Sequence, residues 1–216
     1  MSQFPRDDER RRMVERQIEA RGIHNPRILA AMRDIPRHLF IPPPYDRAAY
    51  DDCPLPIGNG QTISQPYIVA VMTELIRPEP DDNVLEIGAG CGYQAAVLAA
   101  LVRKVTTIER IPAVAGLARQ NMAALNITNV EVIIGDGTLG YPKNVPYNGI
   151  IITAATPEVP GPLIDQMADG GRLVAPRGGR DIQELVVLEK HGGRVTESFH
   201  GGVRFVPLIG EHGWEN

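Results

Sequence analysis

The sequence predicts an α/β protein with a doubly wound, mostly parallel β-sheet. Strand-like and helix-like segments alternate along the chain from Asn83 onward, which is typical of a parallel sheet covered by helices. A glycine-rich turn separates the first of these strands from the helix that follows it. The chain has 216 residues, 43% of them hydrophobic, so a sizeable core can form without disulfides. We expect one compact unit, with an N-terminal extension over residues 1–82 and a ligand-binding core over residues 83–216.

The N-terminal extension is predicted to begin with helices. Met13, Val14 and Ile18 fall on one helical face, and Gly22 suits the end of that helix. A second short helix follows Pro26. Prolines at position 36 and at positions 42–44 disrupt regular structure, so we expect residues 40–60 to form an ordered but irregular arm. An apolar helix is predicted next, over residues 67–75.

The core elements follow in regular alternation. Strands are predicted at residues 84–87, 105–109, 130–134, 149–153, 172–175 and 185–189, and helices at residues 93–102, 112–126 and 161–167. Pro112 suits the first turn of its helix. A last short strand is predicted at residues 203–208, where Pro207 would fit the edge of a sheet.

Charge and composition exclude several classes of protein. The net charge is −4 and the isoelectric point is about 5.8, which disfavours nucleic-acid binding. The basic run Arg10-Arg11-Arg12 adjoins an acidic run, so a solvated helix face is expected there. The longest aliphatic run, residues 95–102, is far shorter than the ~20 residues that span a bilayer. We expect no membrane association, a cytoplasmic location and a monomer.

Cysteines and histidines give no sign of a disulfide framework or a metal site. Cys53 and Cys91 are far apart in the sequence and fit free thiols in a reducing compartment. The five histidines are scattered, without the spacing of metal ligands. No metal is predicted.

A glycine-rich turn follows the first core strand. Gly88, Gly90 and Gly92 form a G-x-G-x-G pattern, with Glu86 just ahead of it. Glycines at the carboxyl end of such a strand let the backbone turn sharply and approach a ligand closely. Tyr93 stands where a dinucleotide-binding fingerprint has its third glycine, which disfavours NAD and FAD. The pattern alone is also compatible with a tight structural turn.

Acidic residues follow the next two strands. Glu109 ends the second core strand, where its carboxylate could accept both hydroxyls of a ribose or, alternatively, pair with Arg110 in solvent. Asp136 lies between Gly135 and Gly137, and it either accepts from an adenine amino group or forms an ordinary Asp-Gly turn. Together with the glycine turn, these residues describe an adenosine site without a pyrophosphate clamp. Such a site suits S-adenosyl-L-methionine.

Two further segments suggest where an acceptor would bind. Ser64 is predicted to cap the helix that has Pro66 in its first turn, a contribution of about 1 kcal/mol. A helix N-terminus also attracts carboxylates, so the same serine could contact an anionic substrate. The segment 203–208 is either an ordinary edge strand or one that binds an extended peptide by main-chain hydrogen bonds.

These motifs, taken in order and spacing, resemble the protein-L-isoaspartate O-methyltransferases. They are PLPIGNGQTISQP, VLEIGAGCGYQ, the strand-end Glu109, the turn at Asp136, IIITAATPEVP and RFVPL. The resemblance covers residues 13–209. GQTISQP and RFVPL are specific to that family, whereas the glycine loop occurs in many methyltransferases.

The resemblance implies a Rossmann-like class I methyltransferase with a seven-stranded sheet, which uses S-adenosyl-L-methionine and releases S-adenosyl-L-homocysteine. The acceptor would be the free α-carboxylate of L-isoaspartyl residues in damaged proteins and peptides. Ser64 would be the active-site residue and would bind substrate together with the Val206 backbone. Cofactor binding would fall to Thr62, Ile63, Glu86, Gly88, Ala89, Gly90, Gly92, Glu109, Asp136 and Gly137.

The sequence departs from the family pattern at three positions, and two other functions compete. Asn148, Cys91 and Arg177 stand where relatives usually have aspartate, a small residue and an apolar residue, respectively. Arg177 is expected either in solvent or near the acceptor site. The rival functions are methylation of RNA or a small molecule on the same sheet, and a binding module without turnover.

Overall fold

The expected doubly wound sheet is present in the structure, a computed structural model that describes residues 5–215. Its seven strands are β3 (Asn83–Ile87), β4 (Lys104–Glu109), β5 (Val130–Ile134), β6 (Tyr147–Ile152), β7 (Met167–Gly178), β8 (Gln183–His191) and β9 (Arg194–Val203). They lie in the order β5-β4-β3-β6-β7-β8-β9. The first five of these pair in parallel, whereas β8 and β9 are antiparallel to their neighbours. The prediction of a mostly parallel, seven-stranded sheet is confirmed.

Helices cover the sheet and build the N-terminal extension. They are α1 (Asp7–Met13), α2 (Pro26–Asp34), α3 (Pro66–Leu75), α4 (Tyr93–Ala99), α5 (Pro112–Ala124) and α6 (Gly161–Asp165). A π-helical segment, Val14–Ile18, continues α1 and ends at Gly22 after one 3₁₀ turn. Asn25 caps α2 by accepting a hydrogen bond from the Arg27 N–H at 3.0 Å. Pro112 occupies the first turn of α5, as expected.

The side chains of the central strand β3 point alternately to the two faces of the sheet, and each face is covered by a separate hydrophobic core. Its residues are all buried because both faces of a parallel sheet are covered. Val84 contributes to the core beneath the N-terminal extension, and Leu85 and Ile87 contribute to the core on the other face. Glu86 shares the face of Val84, so a carboxyl group is carried into an apolar layer.

The N-terminal extension packs directly on the first of these cores. The ring of Phe40 lies edge-on to that of Tyr93, with centroids 5.4 Å apart. Met13, Ile18 and Ile28 are buried in the same cluster as residues of α4. The division at residue 82 falls between α3 and β3 and stays a prediction, since buried side chains from both parts form one continuous core.

Three local predictions are wrong. The arm predicted to be irregular over residues 40–60 contains strand β1 (Leu55–Gly58), which pairs with β2 (Gln61–Ile63) in an antiparallel hairpin. The C-terminal edge strand is β9, which was not predicted because its glycines and polar residues hide any apolar alternation. The predicted strand at 203–208 is mostly irregular chain, which touches the Ala155 region through a single bridge at Pro207.

The basic run near the N-terminus is only partly solvated. Arg11 and Arg12 are exposed, as expected. Arg10 is 1% exposed, and its guanidinium donates to the Arg33 carbonyl oxygen and to Asp7. Its position on α1 faces α2, which explains why the expectation fails for this residue alone. None of the helices in residues 5–215 is long and apolar enough to cross a membrane.

Candidate active site

A cavity of about 270 Å³ opens above the carboxyl ends of the central strands. The strand order reverses at β3: β4 and β5 extend the sheet on one side of β3, and β6 lies on its other side. Open α/β sheets bind ligands at such a topological switch point. The cavity floor is formed by the ends of β3, β4 and β6. Its walls come from the β1–β2 hairpin and from residues 206–209.

The glycine turn lies at the centre of the floor. Gly88, Gly90 and Gly92 have φ of +94°, +54° and +89°, a region that disfavours residues with a Cβ. The N–H groups of Gly88 and Ala89 both donate to the Ile108 carbonyl oxygen, at 2.8 and 3.2 Å. These hydrogen bonds fix the turn to the neighbouring strand β4, and the backbone of the turn lines the cavity.

Glu109 fastens the turn from the end of β4. Its two carboxylate oxygens accept from the Gly90 N–H at 3.1 Å and the Ile111 N–H at 3.0 Å. The side chain lines the cavity and is only 6% exposed, so it is not the solvated acid paired with Arg110 that was the alternative. A carboxylate held by two backbone donors keeps further lone pairs for hydroxyl groups of a ligand.

Glu86 also lines the cavity, in an apolar setting. The side chain is fully buried, and one carboxyl oxygen accepts from the Thr107 hydroxyl. Burial, partly offset by that hydrogen bond, raises the pKa of Glu86 to about 8. The Glu109 carboxylate nearby contributes the smaller part of this rise in pKa.

Asp136 lies beside the cavity and holds other parts of the chain. Its Oδ1 accepts from the N–H and hydroxyl of Thr138, and its Oδ2 accepts from the Glu211 N–H at 2.7 Å. Burial opposes ionisation, but these hydrogen bonds leave the pKa of Asp136 below its ordinary value. The carboxylate thus joins the loop after β5 to residues 210–212, a stretch that we call the C-terminal tail.

The β1–β2 hairpin and the segment that leads into α3 cover the cavity. Ile63 is buried, Thr62 is exposed and Ser64 is half-buried. The prediction that Ser64 caps α3 is wrong: Gln65 occupies the N-cap position, and no side chain caps this helix. The Ser64 hydroxyl forms no hydrogen bond with any other described residue, and it lines the cavity. It is therefore available to a ligand.

Val206 forms part of the opposite wall. Its carbonyl oxygen accepts from the Ala155 N–H at 2.7 Å, and the Leu208 N–H donates to the Ala155 carbonyl oxygen. Within the described chain the Val206 N–H donates to no backbone carbonyl. This N–H is the Val206 group that an extended peptide could use.

The structure brings most of the predicted site residues together. Those that line the cavity are Thr62, Ile63, Ser64, Glu86, Gly88, Ala89, Gly90, Glu109, Gly137 and Val206. Gly92 and Asp136 do not line it, and ligand contact by them stays a prediction. Gly92 instead lets α4 approach α5, since a Cβ there would lie 2.8 Å from Met122 Cε.

Thr153 is a cavity residue that the sequence reasoning missed. Its hydroxyl lies 2.9 Å from the Ile87 carbonyl oxygen and 2.6 Å from that of Gly88. It therefore holds the first residue of the glycine turn from the end of β6. The available signal was its position at the carboxyl end of a predicted buried strand, residues 149–153, where ligand-side residues concentrate.

The three departures from the family pattern have separate structural settings. Arg177 is neither in free solvent nor on the cavity, because its guanidinium pairs with both oxygens of Glu197 at 2.6 and 2.7 Å. The Asn148 side chain accepts from the Asn83 N–H at 3.0 Å. Cys91 is a buried free thiol at the cavity, whose pKa is raised to about 11 by burial.

The model of the family described as protein-L-isoaspartate(D-aspartate) O-methyltransferase matches residues 8–213 of this chain. The chain belongs to this family. A relative from Methanoregula boonei, named protein-L-isoaspartate O-methyltransferase, is 67% identical over 213 residues, covering 99% of this chain and 98% of its own. A second, from Methanospirillum hungatei with the same name, is 61% identical over 207 residues, covering 96% of each chain.

Solved structures of protein-L-isoaspartate O-methyltransferases share the fold. One of that name has a TM-score of 0.85 at 28% identity and covers 94% of this chain and 67% of its own. Another, from Plasmodium falciparum in complex with S-adenosyl-L-homocysteine, has a TM-score of 0.81 at 23% identity. It covers 93% of this chain and 98% of its own. The family and the Rossmann-like methyltransferase fold expected from the sequence are both confirmed.

Proposed function

We propose that the protein transfers a methyl group from S-adenosyl-L-methionine to the free α-carboxylate of L-isoaspartyl residues in damaged proteins and peptides. The observation that carries this proposal is the family match over residues 8–213, combined with an intact cavity at the expected place. Relatives with 67% and 61% identity bear the name of this activity. The proposal includes action in the cytoplasm, as a monomer and without nucleic acid.

The cavity residues fit the parts of the methyl donor. The Glu109 carboxylate, fixed by two backbone N–H groups, would accept the ribose hydroxyls. The glycine turn leaves room for the amino-acid portion, with Thr62 and Ile63 above it. Gly137 and the loop that Asp136 holds would border the adenine. The Plasmodium falciparum protein, which has the same overall fold, was solved in complex with S-adenosyl-L-homocysteine, and the proposal carries that ligand over to this chain.

The reaction needs positioning more than acid–base chemistry. An isoaspartyl α-carboxylate is already ionised at neutral pH, since such groups have pKa values near 4. One carboxylate oxygen bonds to the methyl carbon, the carbon–sulfur bond breaks, and its electron pair stays on sulfur. The methyl ester then loses methanol as the next peptide nitrogen closes a succinimide, which initiates repair. We assign to the cavity the alignment of the two reactants and the exclusion of water from the carboxylate.

Backbone recognition would let one site accept unrelated proteins. Val206, whose N–H is free, and Ser64 both line the cavity. A main-chain contact to the substrate depends little on sequence, because every peptide offers the same groups. Ser64 would orient the carboxylate, and Val206 would hold the peptide beside it.

The proposal is tested by methyl transfer from labelled S-adenosyl-L-methionine to two peptides that differ only in an aspartyl or L-isoaspartyl linkage. We expect base-labile label on the isoaspartyl peptide alone. Label on neither peptide, from protein that binds the cofactor, would contradict the proposed substrate.

Replacing Ser64 by alanine is expected to lower kcat by about ten- to hundred-fold, the scale of one lost transition-state donor. Because Ser64 does not cap α3, the free energy of unfolding should change little. Ser198→Ala is the matched control, since Ser198 is an exposed serine on β9 that does not line the cavity. Single-turnover methylation with saturating peptide measures the effect, and full activity in Ser64→Ala would remove Ser64 from the reaction.

A further inference from the structure

Glu86 has an unusual environment for an acidic side chain. It is 0% exposed, on the face of β3 that carries Val84 into an apolar core. Its Oε2 accepts from the Thr107 hydroxyl, whereas its Oε1 is buried and receives no hydrogen bond from any described residue. The side chain nevertheless lines the cavity. A buried ionised carboxylate normally has a cationic partner or several donors, and Glu86 has one neutral donor.

No cationic side chain pairs with Glu86 among the described residues, although Arg110 lines the same cavity and Arg37 packs against Tyr93. The Glu109 carboxylate faces it from β4, and the Cys91 thiol faces it from the glycine turn. The elements that pack over this face, α3 and α4, present Val69, Met72, Tyr93 and Gln94 to the cavity. Burial raises the pKa of Tyr93 to about 12, so its phenol is neutral. None of the described lysines, arginines or histidines, Arg110 and Arg37 included, contributes to the pKa shift of Glu86. Glu109 is the better satisfied of the two acids, because two backbone N–H groups bind it.

These contacts favour the neutral acid in the free protein. Two buried carboxylates that line one cavity repel each other, and the acid with fewer hydrogen-bond donors keeps the proton. A positively charged ligand in the cavity would favour the ionised form of Glu86 instead. S-adenosyl-L-methionine carries a sulfonium cation that S-adenosyl-L-homocysteine lacks, so only the donor adds a net positive charge to the cavity.

We propose that Glu86 is a specificity-determining residue whose carboxyl group is protonated in the free protein, releases its proton to solvent when the sulfonium donor binds, and regains a proton once the neutral thioether product remains. This inference rests on the proposed use of S-adenosyl-L-methionine. Glu86 then binds the donor as an anion and the product as a neutral acid. Its charge state favours loading of the donor and release of the product.

The direction of the pH dependence follows from the raised pKa. Burial places the pKa of Glu86 at about 8, so most of the free protein is protonated there at pH 7. A positive ligand lowers this pKa, and donor affinity must therefore rise with pH until the free acid has ionised. Product affinity gains less over the same range, because the product has no sulfonium charge.

Calorimetric titration at pH 7 in buffers of different ionisation enthalpy tests the proton exchange. We expect donor binding to release roughly one proton more from the wild-type protein than from Glu86→Gln, and product binding to show a smaller difference. The variant lacks the titrating carboxyl group, so the difference between the two proteins reports on the charge state of Glu86. From pH 7 to pH 9, the ratio of donor affinity to product affinity should rise roughly five- to tenfold more in wild type than in the variant.

A second measurement uses the wild-type protein alone. The infrared band of a protonated carboxylic acid should be present in the free protein, disappear with the donor and return with the product. Equal proton exchange in both proteins, or an infrared spectrum without this band in the free protein, would overturn the inference. The proposed function fails separately: its failure is the absence of isoaspartyl methylation by protein that still binds both ligands.

Discussion

Replacing Glu109 by glutamine is expected to weaken binding of S-adenosyl-L-methionine by at least about 100-fold. Each oxygen of Glu109 accepts from a backbone N–H, so the amide of glutamine must direct its NH₂ group at one of those donors. Each charge-assisted hydrogen bond contributes about 1.5–3 kcal/mol, and the turn at Gly90 would lose its fastening. The ribose contact assigned to this carboxylate would also be weakened.

Equilibrium dialysis or calorimetry with the donor measures the effect of Glu109→Gln. Glu79→Gln is the matched control, because the Glu79 side chain is 74% exposed and distant from the cavity lining. Circular dichroism should show that both variants fold, since Glu109 is one residue at the end of β4. Affinity within threefold of wild type in Glu109→Gln would contradict the assigned role.

Replacing Gly88 by alanine is expected to abolish measurable cofactor binding and to destabilise the protein by about 2–4 kcal/mol, the sum of backbone strain and overpacking. Gly88 has φ of +94°, and a Cβ there would lie 2.5 Å from Thr153 Oγ1. That hydroxyl is held against the Ile87 and Gly88 carbonyl oxygens, so it cannot withdraw without losing them. Denaturant unfolding and cofactor titration measure the two effects.

Two variants separate the causes. Gly116→Ala in α5 is the control, because Gly116 has ordinary helical geometry with no atom within 4 Å of a Cβ, and alanine there should stabilise by about 0.5–1 kcal/mol. Adding Thr153→Ala to Gly88→Ala removes the atom nearest the new methyl group but leaves the backbone strain. Partial recovery of stability is therefore expected, and wild-type affinity in Gly88→Ala alone would refute the prediction.

The sequence predicted those parts of the fold that depend on local pattern. Buried strands such as β3 are short apolar segments between turn residues, and Pro112 marks a helix start on its own chemistry. β9 could not be predicted in the same way, because it is exposed and held by pairing with β8 rather than by an apolar face. The β1–β2 hairpin was obscured by prolines, although its buried Leu55, Ile57 and Ile63 are spaced as hairpin neighbours.

Site residues were predictable where a backbone requirement selects one amino acid. Gly88 and Gly90 need positive φ, and Glu109 ends a strand at the ligand edge, so motif and geometry agree. Ser64 illustrates the limit. A serine two residues before a proline suggests a helix cap, but Gln65 holds the N-cap position and the Ser64 hydroxyl is left free. Thr153 could not be assigned from sequence, because its contact with Gly88 spans 65 positions.

The C-terminal tail, residues 210–212, connects the wall of the cavity to a natural fluorophore. Trp214 is the only tryptophan in the chain, and its backbone N–H donates to the Leu208 carbonyl oxygen at 2.7 Å. Leu208 and Ile209 line the cavity, while the Asp136 carboxylate fastens the tail between them and the indole. The Arg180 guanidinium lies 4.9 Å from the indole ring centre, so a displacement of the indole changes the electrostatic field of this cation at the ring. Fluorescence excited selectively at this one tryptophan therefore reports on the wall of the cavity without any attached dye.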